Sequence, residues 1–500
     1  MDLLQHLLSG FQVSLLPINL LYCFLGVLLG TLIGVLPGIG PTAAIALLLP
    51  ITFHVPAVST IILLAGIYYG AMYGGSTTSI LVNIPGEAAS VVTCIDGYQM
   101  ARQGRAGPAL GISAFGSFIG GTLALVGLMF AAPAMARFAR EFGAPEYTGL
   151  VCLGLSLLIY LGGGSIIKSL ISALIGLALS FVGQDMFTGQ DRFTLGMREL
   201  KDGIGLVPMF MGLFGISEVL INLEKTIARE VFATKISQLL PSREDWRRAF
   251  PAMLRGTGIG FLLGVIPGGS AVIASFASYA LEKKLSSQPE RFGLGAIEGV
   301  AGPETANNAA ATGAFIPLFA LGIPSNATTA ILLGALMLHG VRPGPMLMEQ
   351  QAGLFWGIIA SMYVGNVILL VLNLPLIGLW VKILKVPYKT LFPLILLFCV
   401  IGAYSVEGSV FDVGVMLVFG VLGYALRKMG FEGAPLVLAF ILGPMLENSL
   451  RQSLIISHGS FLIFVQRPIA AACLLVALSL LLTALIPFVR RKRKLLAEEA

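Results

Sequence analysis

Apolar residues run through most of this chain in blocks long enough to cross a bilayer, separated by short polar connections. Such blocks are predicted at about 57 to 73, 110 to 135, 146 to 161, 166 to 182 and 204 to 223. A second set follows at 354 to 381, with a bend expected at Pro375, and at 391 to 404, 410 to 426, 435 to 445 and 469 to 489. Two blocks differ in being broken from within. Gly26, Gly30 and Gly34 run into Pro37-Gly38-Ile39-Gly40-Pro41-Thr42, and Gly256, Gly260 and Gly264 run into Pro267-Gly268-Gly269-Ser270. Glycine at every fourth position lets another backbone come close. Pro-Gly then stops the helix, because proline lacks an N–H and glycine accepts positive φ. Pro41 and Ser270 suit the first turn or cap of a new helix. One such break also fits a tight turn at a membrane surface. Two in matching places are the sequence mark of a transporter's binding site, where bare backbone lines a cavity.

The polar connections set the order of the chain. A broken hairpin is expected from 19 to 53. The span at 57 to 73 leads into Ser76-Thr77-Thr78 and then a second break, Asn83-Ile84-Pro85-Gly86. Residues 94 to 108, with Asp96, Arg102 and Arg105, read as a cytoplasmic turn in which Asp96 and Arg105 serve the fold or a gate. A polar connection follows at 183 to 203. The charged stretch 224 to 250 is predicted to be a cytoplasmic linker between two membrane repeats, 1 to 223 and 251 to 489. In the second repeat a broken hairpin at 253 to 285 precedes the small-residue stretch around Glu304, Asn307 and Asn308. The break Ile323-Pro324-Ser325-Asn326 then matches Ile84-Pro85-Gly86 in place and character.

Composition agrees. Of 500 residues, 56% are hydrophobic and 11% charged, and mean hydropathy is +0.91, the values of a polytopic all-α membrane protein. Charge adds orientation. No Lys or Arg precedes Arg102, which places the flanks of the first Pro-Gly break outside. Arg247, Arg248 and Arg255 precede the second break, and Lys283, Lys284 and Arg291 follow it, so both its flanks read as cytoplasmic. Two re-entrant hairpins entering from opposite sides and meeting near the midplane make an inverted repeat. The amino terminus has no basic region before its apolar run and does not read as a cleaved signal. The basic tail at 490 to 500 reads as a cytoplasmic stop after the last span, not as a nucleic-acid arm. The five cysteines and four histidines are scattered without metal-site spacing.

The candidate chemistry follows from the breaks. Exposed helix N-termini hold anions without a fixed cation. A carboxylate site is therefore expected from Pro37, Gly38, Gly40, Thr42, Ser76, Thr77, Thr78, Pro267, Gly268, Gly269, Ser270, Ser325, Thr328 and Thr329. Helix packing is the alternative role for each hydroxyl in that set. Hard cations such as sodium want oxygen ligands, and Asn83, Glu304, Asn307, Asn308 and Asn326 supply them. Glu304, after Pro303, also suits a helix start. No cofactor is expected beyond sodium as a coupling ion. Gly162-Gly163-Gly164-Ser165-Ile166-Ile167-Lys168-Ser169 lacks the glycine before lysine that a phosphate loop needs, and no His-Glu-x-x-His occurs, so neither an ATP-driven pump nor an intramembrane metalloenzyme is indicated. A channel for ions or organic anions is the alternative to a transporter, separated from it by saturable, ion-coupled uptake.

Five stretches carry a family resemblance: GTLIGVLPGIGPTAAIALLLPITF, YYGAMYGGSTTSILVNIPGE, CIDGYQMARQGRAGPALGI, GVAGPETANNAAATGAFIPLFALGIPSNATTAILLGALMLHG and GAYSVEGSVFDVGVMLVFGVLGY. In this order the chain resembles the large membrane subunit of the tripartite tricarboxylate transporter family, TctA, from about residue 19 to 455. Ile323-Pro324-Ser325 departs from the Pro-Gly expected of that family. The resemblance implies secondary uptake of di- and tricarboxylates across a bacterial inner membrane, driven by a sodium or proton gradient. It also implies a small membrane subunit (TctB-like) and a periplasmic solute-binding protein (TctC-like) as partners.

Overall fold

The computed structural model describes residues 3–36, 40–161, 165–224, 239–384 and 388–483, and these are almost wholly helical. In the first half lie α1 (Leu3–Ser14), α2 (Pro17–Val35), α3 (Pro41–Leu48), α4 (Ala57–Val82), α5 (Val91–Arg102), α6 (Ala106–Ala139), α7 (Ala144–Leu161) and α8 (Ile166–Ser180). A two-residue antiparallel ribbon follows, with Gly183 paired to Arg192. Next come α9 (Leu206–Phe210), a π-helical turn (Met211–Ile216) and α10 (Ser217–Glu224). The second half opens with α11 (Arg243–Val265), α12 (Ala271–Leu285), α13 (Glu298–Gly313), α14 (Phe315–Leu321) and α15 (Ala327–Leu338). It closes with α16 (Leu347–Gln350), α17 (Ala352–Asn373), α18 (Ile377–Ile383), α19 (Tyr388–Glu407), α20 (Val410–Lys428), α21 (Gly433–Ile456), α22 (Ile463–Gln466) and α23 (Pro468–Thr483). Among the described residues, seven helical stretches are long and apolar enough to span a bilayer: α2, α4, α6, residues 206–224, α17, α20 and α21.

The glycine rows do in space what their spacing asks. A Cβ at Gly26, Gly30 or Gly34 would lie under 3.0 Å from the carbonyl oxygens of Leu63, Ile67 and Ala71 on α4. In the second half, a Cβ at Gly256, Gly260 or Gly264 would do the same at Gly302, Ala306 and Ala310 on α13. Each ladder presses a backbone onto the helix that forms the centre of its half. On α4 every residue from Ser59 to Val82 is buried, and on α13 every residue from Gly299 to Gly313. Helices buried on all sides belong in the core of a large membrane protein. The outer helices show apolar side chains instead, as with Leu123, Val126 and Phe130 on α6 and Leu417, Val418 and Val421 on α20. Such a belt faces hydrocarbon.

The breaks also come in pairs. Chain reversal after α4 uses Asn83 at φ 56°, followed by Ile84-Pro85; after α14 it uses Gly322 at φ 71°, followed by Ile323-Pro324. In both, a left-handed residue closes the helix and proline prevents its continuation. The halves then interlock. Helix α3 packs on α15 of the other half, and α12 packs on α5 and the Ala88–Ser90 turn.

Three expected boundaries shift. Residues 94 to 108 are not a turn: α5 covers most of them, Asp96 is fully buried, and the reversal is confined to Gln103-Gly104. The block at 354 to 381 does not bend as one helix. It stops at Asn373 and restarts at Ile377, because Pro375 gives no N–H to the ladder. The short block at 435 to 445 extends to Ile456, since the polar turns after Met445 continue the helix. The proposed linker falls mostly outside the described residues (225–238), as does the tail at 490 to 500. Before α11, Ser242 and Asp245 form a capping box, and Asp245 pairs with Arg105 at the head of α6.

Candidate functional site

Three helix starts meet where the halves interlock. Helix α3 begins on Pro41, α12 after Ser270 and α15 after Asn326. Thr42 Oγ1 and Thr328 Oγ1, in the first turns of α3 and α15, lie 2.7 Å apart. Asn326 and Thr329 build a reciprocal capping box at the head of α15, and the Asn326 amide donates to the Tyr68 hydroxyl at 3.1 Å. Gly268, at φ 82°, sits where a Cβ would meet the backbone of Leu157 and Leu158 on α7, and its N–H donates to the Ser325 carbonyl at 2.9 Å. Ser325 is fully buried, and among the described residues its hydroxyl has no hydrogen-bond partner. Ser270 caps α12 by accepting the Ile273 N–H at 3.2 Å. Among the described residues a Cβ on Gly40 would meet nothing within 4 Å. Partial positive charge from the helix starts and their hydroxyls together suit a carboxylate.

A second polar centre lies on α13. The Glu304 carboxylate accepts hydrogen bonds from Ser76 of α4 and Thr93 of α5, and Ser113 of α6 bonds it as well. One turn on, Asn307 donates at 3.0 Å to Glu87, which also accepts the Ala89 N–H at 2.6 Å. Glu87, Glu304 and Asn307 are all buried, and Asn307 Oδ1 has no partner among the described residues. Asn308 donates to Ser117 Oγ at 2.8 Å and to the Glu304 carbonyl at 3.1 Å, tying α13 to α6. Buried carboxylates inside membrane helices are costly and mark ion or substrate paths.

The expected site residues therefore divide. Thr42, Ser325, Thr328 and Thr329 come together with Pro267, Gly268, Gly269 and Ser270 around the helix starts. Ser76 joins the Glu304 centre instead. Thr78 Oγ1 donates to the Val35 carbonyl at 2.9 Å, closing the end of α2, and Thr77 lines a small cavity of about 10 Å³ with Tyr73, Ser113 and Asn373. Of the expected cation ligands, Glu304, Asn307 and Asn308 share one face of α13. Asn83 is exposed at the end of α4, and Asn326 spends its Oδ1 as a helix cap. Pro37 and Gly38 lie outside the described residues. A cavity of about 160 Å³ beside Arg248 and Arg291 lies elsewhere, in the polar 286–298 region, where Glu244 already holds Arg248.

Sequence reasoning missed Glu87, Thr93 and Ser113. Glu87 had a signal: a carboxylate directly after Ile-Pro-Gly in an apolar segment. The hydroxyls had none, because nothing in the order of residues says that α5 and α6 face α13. Asp96, expected to serve the fold or a gate, sits in a cage of donors. Its Oδ1 accepts the N–H groups of Gly293, Gly295 and Ala296 at 2.8 to 2.9 Å, and its Oδ2 accepts the Tyr279 hydroxyl at 2.9 Å.

Comparison with known proteins supplies the family. A model of the Tripartite tricarboxylate transporter TctA family matches residues 20–438. A protein of Agrobacterium vitis, described as an uncharacterized 52.8 kDa protein in the TAR-I ttuC' 3'region, is 55% identical over 500 residues, covering 100% of both chains. Another from the same organism, an uncharacterized protein in the TAR-II ttuC' 3'region, is 56% identical over 234 residues, 47% of this chain and 97% of that protein. No solved structure matches the chain at a significant level.

Proposed function

The chain belongs to the tripartite tricarboxylate transporter TctA family, and we propose on that premise that it imports di- and tricarboxylates across the bacterial inner membrane, driven by a sodium or proton gradient. It is a multi-pass membrane subunit of a transporter. The observation that carries the substrate reading is the meeting of Thr42 and Thr328 at the starts of α3 and α15, from opposite halves of the chain. A carboxylate seated there would accept hydroxyl and backbone hydrogen bonds from both halves, so its release requires only that the halves part.

We read the two halves as an inverted repeat of two re-entrant hairpins, residues 1 to 223 and 251 to 489, joined by the cytoplasmic linker at 224 to 250. Four matched features support this: the two glycine ladders, the two Pro-Gly breaks, the two left-handed closures before Ile-Pro, and the reciprocal packing of α3 on α15 and α12 on α5. The opposite charge of their flanks supports entry from opposite faces. A TctC-like binding protein delivers the acid at the outward face, and a TctB-like subunit completes the membrane complex.

Reconstitution tests the reading. The chain, with its small membrane partner, is placed in proteoliposomes and given a panel of labelled carboxylates, with and without a sodium gradient. Saturable, gradient-dependent uptake is expected. Unsaturable flux that ignores the gradient would assign the chain to the channels.

A further inference from the structure

Positive charge is what the α13 centre lacks. Glu87 and Glu304 are both buried, and among the described residues no Lys, Arg or His pairs with either. Their hydrogen-bond partners are neutral: Ser76, Thr93 and Ser113 for Glu304, and the Asn307 amide and Ala89 N–H for Glu87. Neutral donors do not balance two carboxylates inside an apolar core. Beside them, Asn307 Oδ1 is an acceptor with no donor among the described residues. It sits on the same amide whose nitrogen already reaches Glu87, one helical turn from Glu304. A carbonyl-type oxygen, carboxylate oxygens and hydroxyl oxygens in one dry place form the donor set of a hard cation.

We propose that Glu87, Asn307 and Glu304 form a binding site for one sodium ion, with the hydroxyl oxygens of Ser76 and Thr93 completing its shell. The proposal rests on the ion-coupled reading above and gives that ion its place. One sodium and one proton shared by the two carboxylates leave the site neutral. The ligands come from both halves: Glu87 follows the Ile84-Pro85-Gly86 break, while Glu304 and Asn307 stand on α13. Gly86 itself lies against the Gly34 carbonyl, where α2 runs into the first Pro-Gly break. An ion in this site therefore holds the first-half break against the second-half core, which gives substrate and ion a shared structural consequence.

Sodium binding is measured on the purified full-length chain in detergent, by equilibrium uptake of radiolabelled sodium without any carboxylate. One saturable site per chain is expected. Glu87→Gln and Asn307→Ala should each weaken it about tenfold, the loss of one ligand to a charged group, and Glu304→Gln should remove it. Glu244→Gln, on an exposed turn, should leave it unchanged. Should the Glu304 variant fail to fold, Thr93→Val offers a milder loss at the same carboxylate, again with weaker sodium binding expected. Wild-type protein without saturable sodium binding, or Glu87→Gln binding like wild type, would overturn the proposal. Because no transport is measured, failure of carboxylate uptake would leave this result standing, and failure here would leave uptake driven by protons standing.

Discussion

Thr42 and Thr328 are 286 positions apart and share a hydrogen bond of 2.7 Å between the first turns of α3 and α15. Neither hydroxyl is needed to start its own helix, since Pro41 opens α3 and Asn326 caps α15. The pair is thus a contact between halves and not a local cap. Thr328→Val keeps the shape and removes the hydroxyl. Loss of one hydrogen bond is worth about 0.5–1.5 kcal/mol, so the concentration for half-maximal uptake should rise several-fold while protein abundance holds. Unaltered uptake kinetics would move the carboxylate away from this junction.

Gly260 faces the Ala306 carbonyl so closely that a Cβ would lie under 3.0 Å from its oxygen, which is backbone and cannot turn aside. Gly260→Ala should therefore cost about 1–3 kcal/mol, read as a lower midpoint in thermal size-exclusion profiles. Gly414 on α20 has no heavy atom within 4 Å of its would-be Cβ. Gly414→Ala should be neutral or slightly stabilising, as expected for alanine in a helix.

Asp185 anchors the short ribbon at 183 to 192. Burial raises its pKa, but the N–H groups of Phe187 and Thr188 and the Arg451 guanidinium outweigh that and pull it from 3.8 down to about 2. A carboxyl with a depressed folded value adds stability above its unfolded value, and loses it as pH falls through the folded one. The ribbon should hold at pH 5 and loosen progressively between about 4 and 2. Hydrogen exchange of the amides at 183 to 203 would follow this, and Asp185→Asn should flatten the dependence.

Delivery gives a prediction of another kind. Apolar helices and short connections consume the described chain, and no receptor-like domain stands among them. At low substrate, reconstituted transporter with its small partner should take up little carboxylate until the binding protein is added. Equal uptake in both conditions would make the chain a stand-alone carrier.

Much of this was readable from residue order because the signals are local. Pro-Gly, and Ile-Pro after a turn, act through backbone geometry that needs no tertiary partner, and glycine at every fourth place marks the face on which another backbone can close; among the described residues each appears where its sequence places it. The sorting of polar residues was not local. Ser76, Thr77 and Thr78 are consecutive yet point to Glu304, a small cavity and the end of α2, because a helix turns each residue about a third of the way round. Asn326 and Asn307 look alike in sequence. One is consumed by capping and the other keeps an oxygen that no described residue bonds, a difference set by which begins a helix and which stands in its middle.

The glycine ladders carry one more consequence. Gly26, Gly30 and Gly34 meet Leu63, Ile67 and Ala71 at the same spacing, and Gly256, Gly260 and Gly264 meet Gly302, Ala306 and Ala310 likewise. At these glycines the contact is Cα against backbone carbonyl, with no side chain between. Slid by four residues, about 6 Å, Gly26 would meet Ile67 and Gly30 would meet Ala71, repeating the backbone contact. As backbone contacts alone, the ladders would fit at either register. Register is held at the ends, where Gly86 abuts the Gly34 carbonyl and the Gly268 N–H grips Ser325. Those stops adjoin the proposed ion site and the proposed carboxylate junction, so under that reading the detents of the machine and its cargo sites are neighbours.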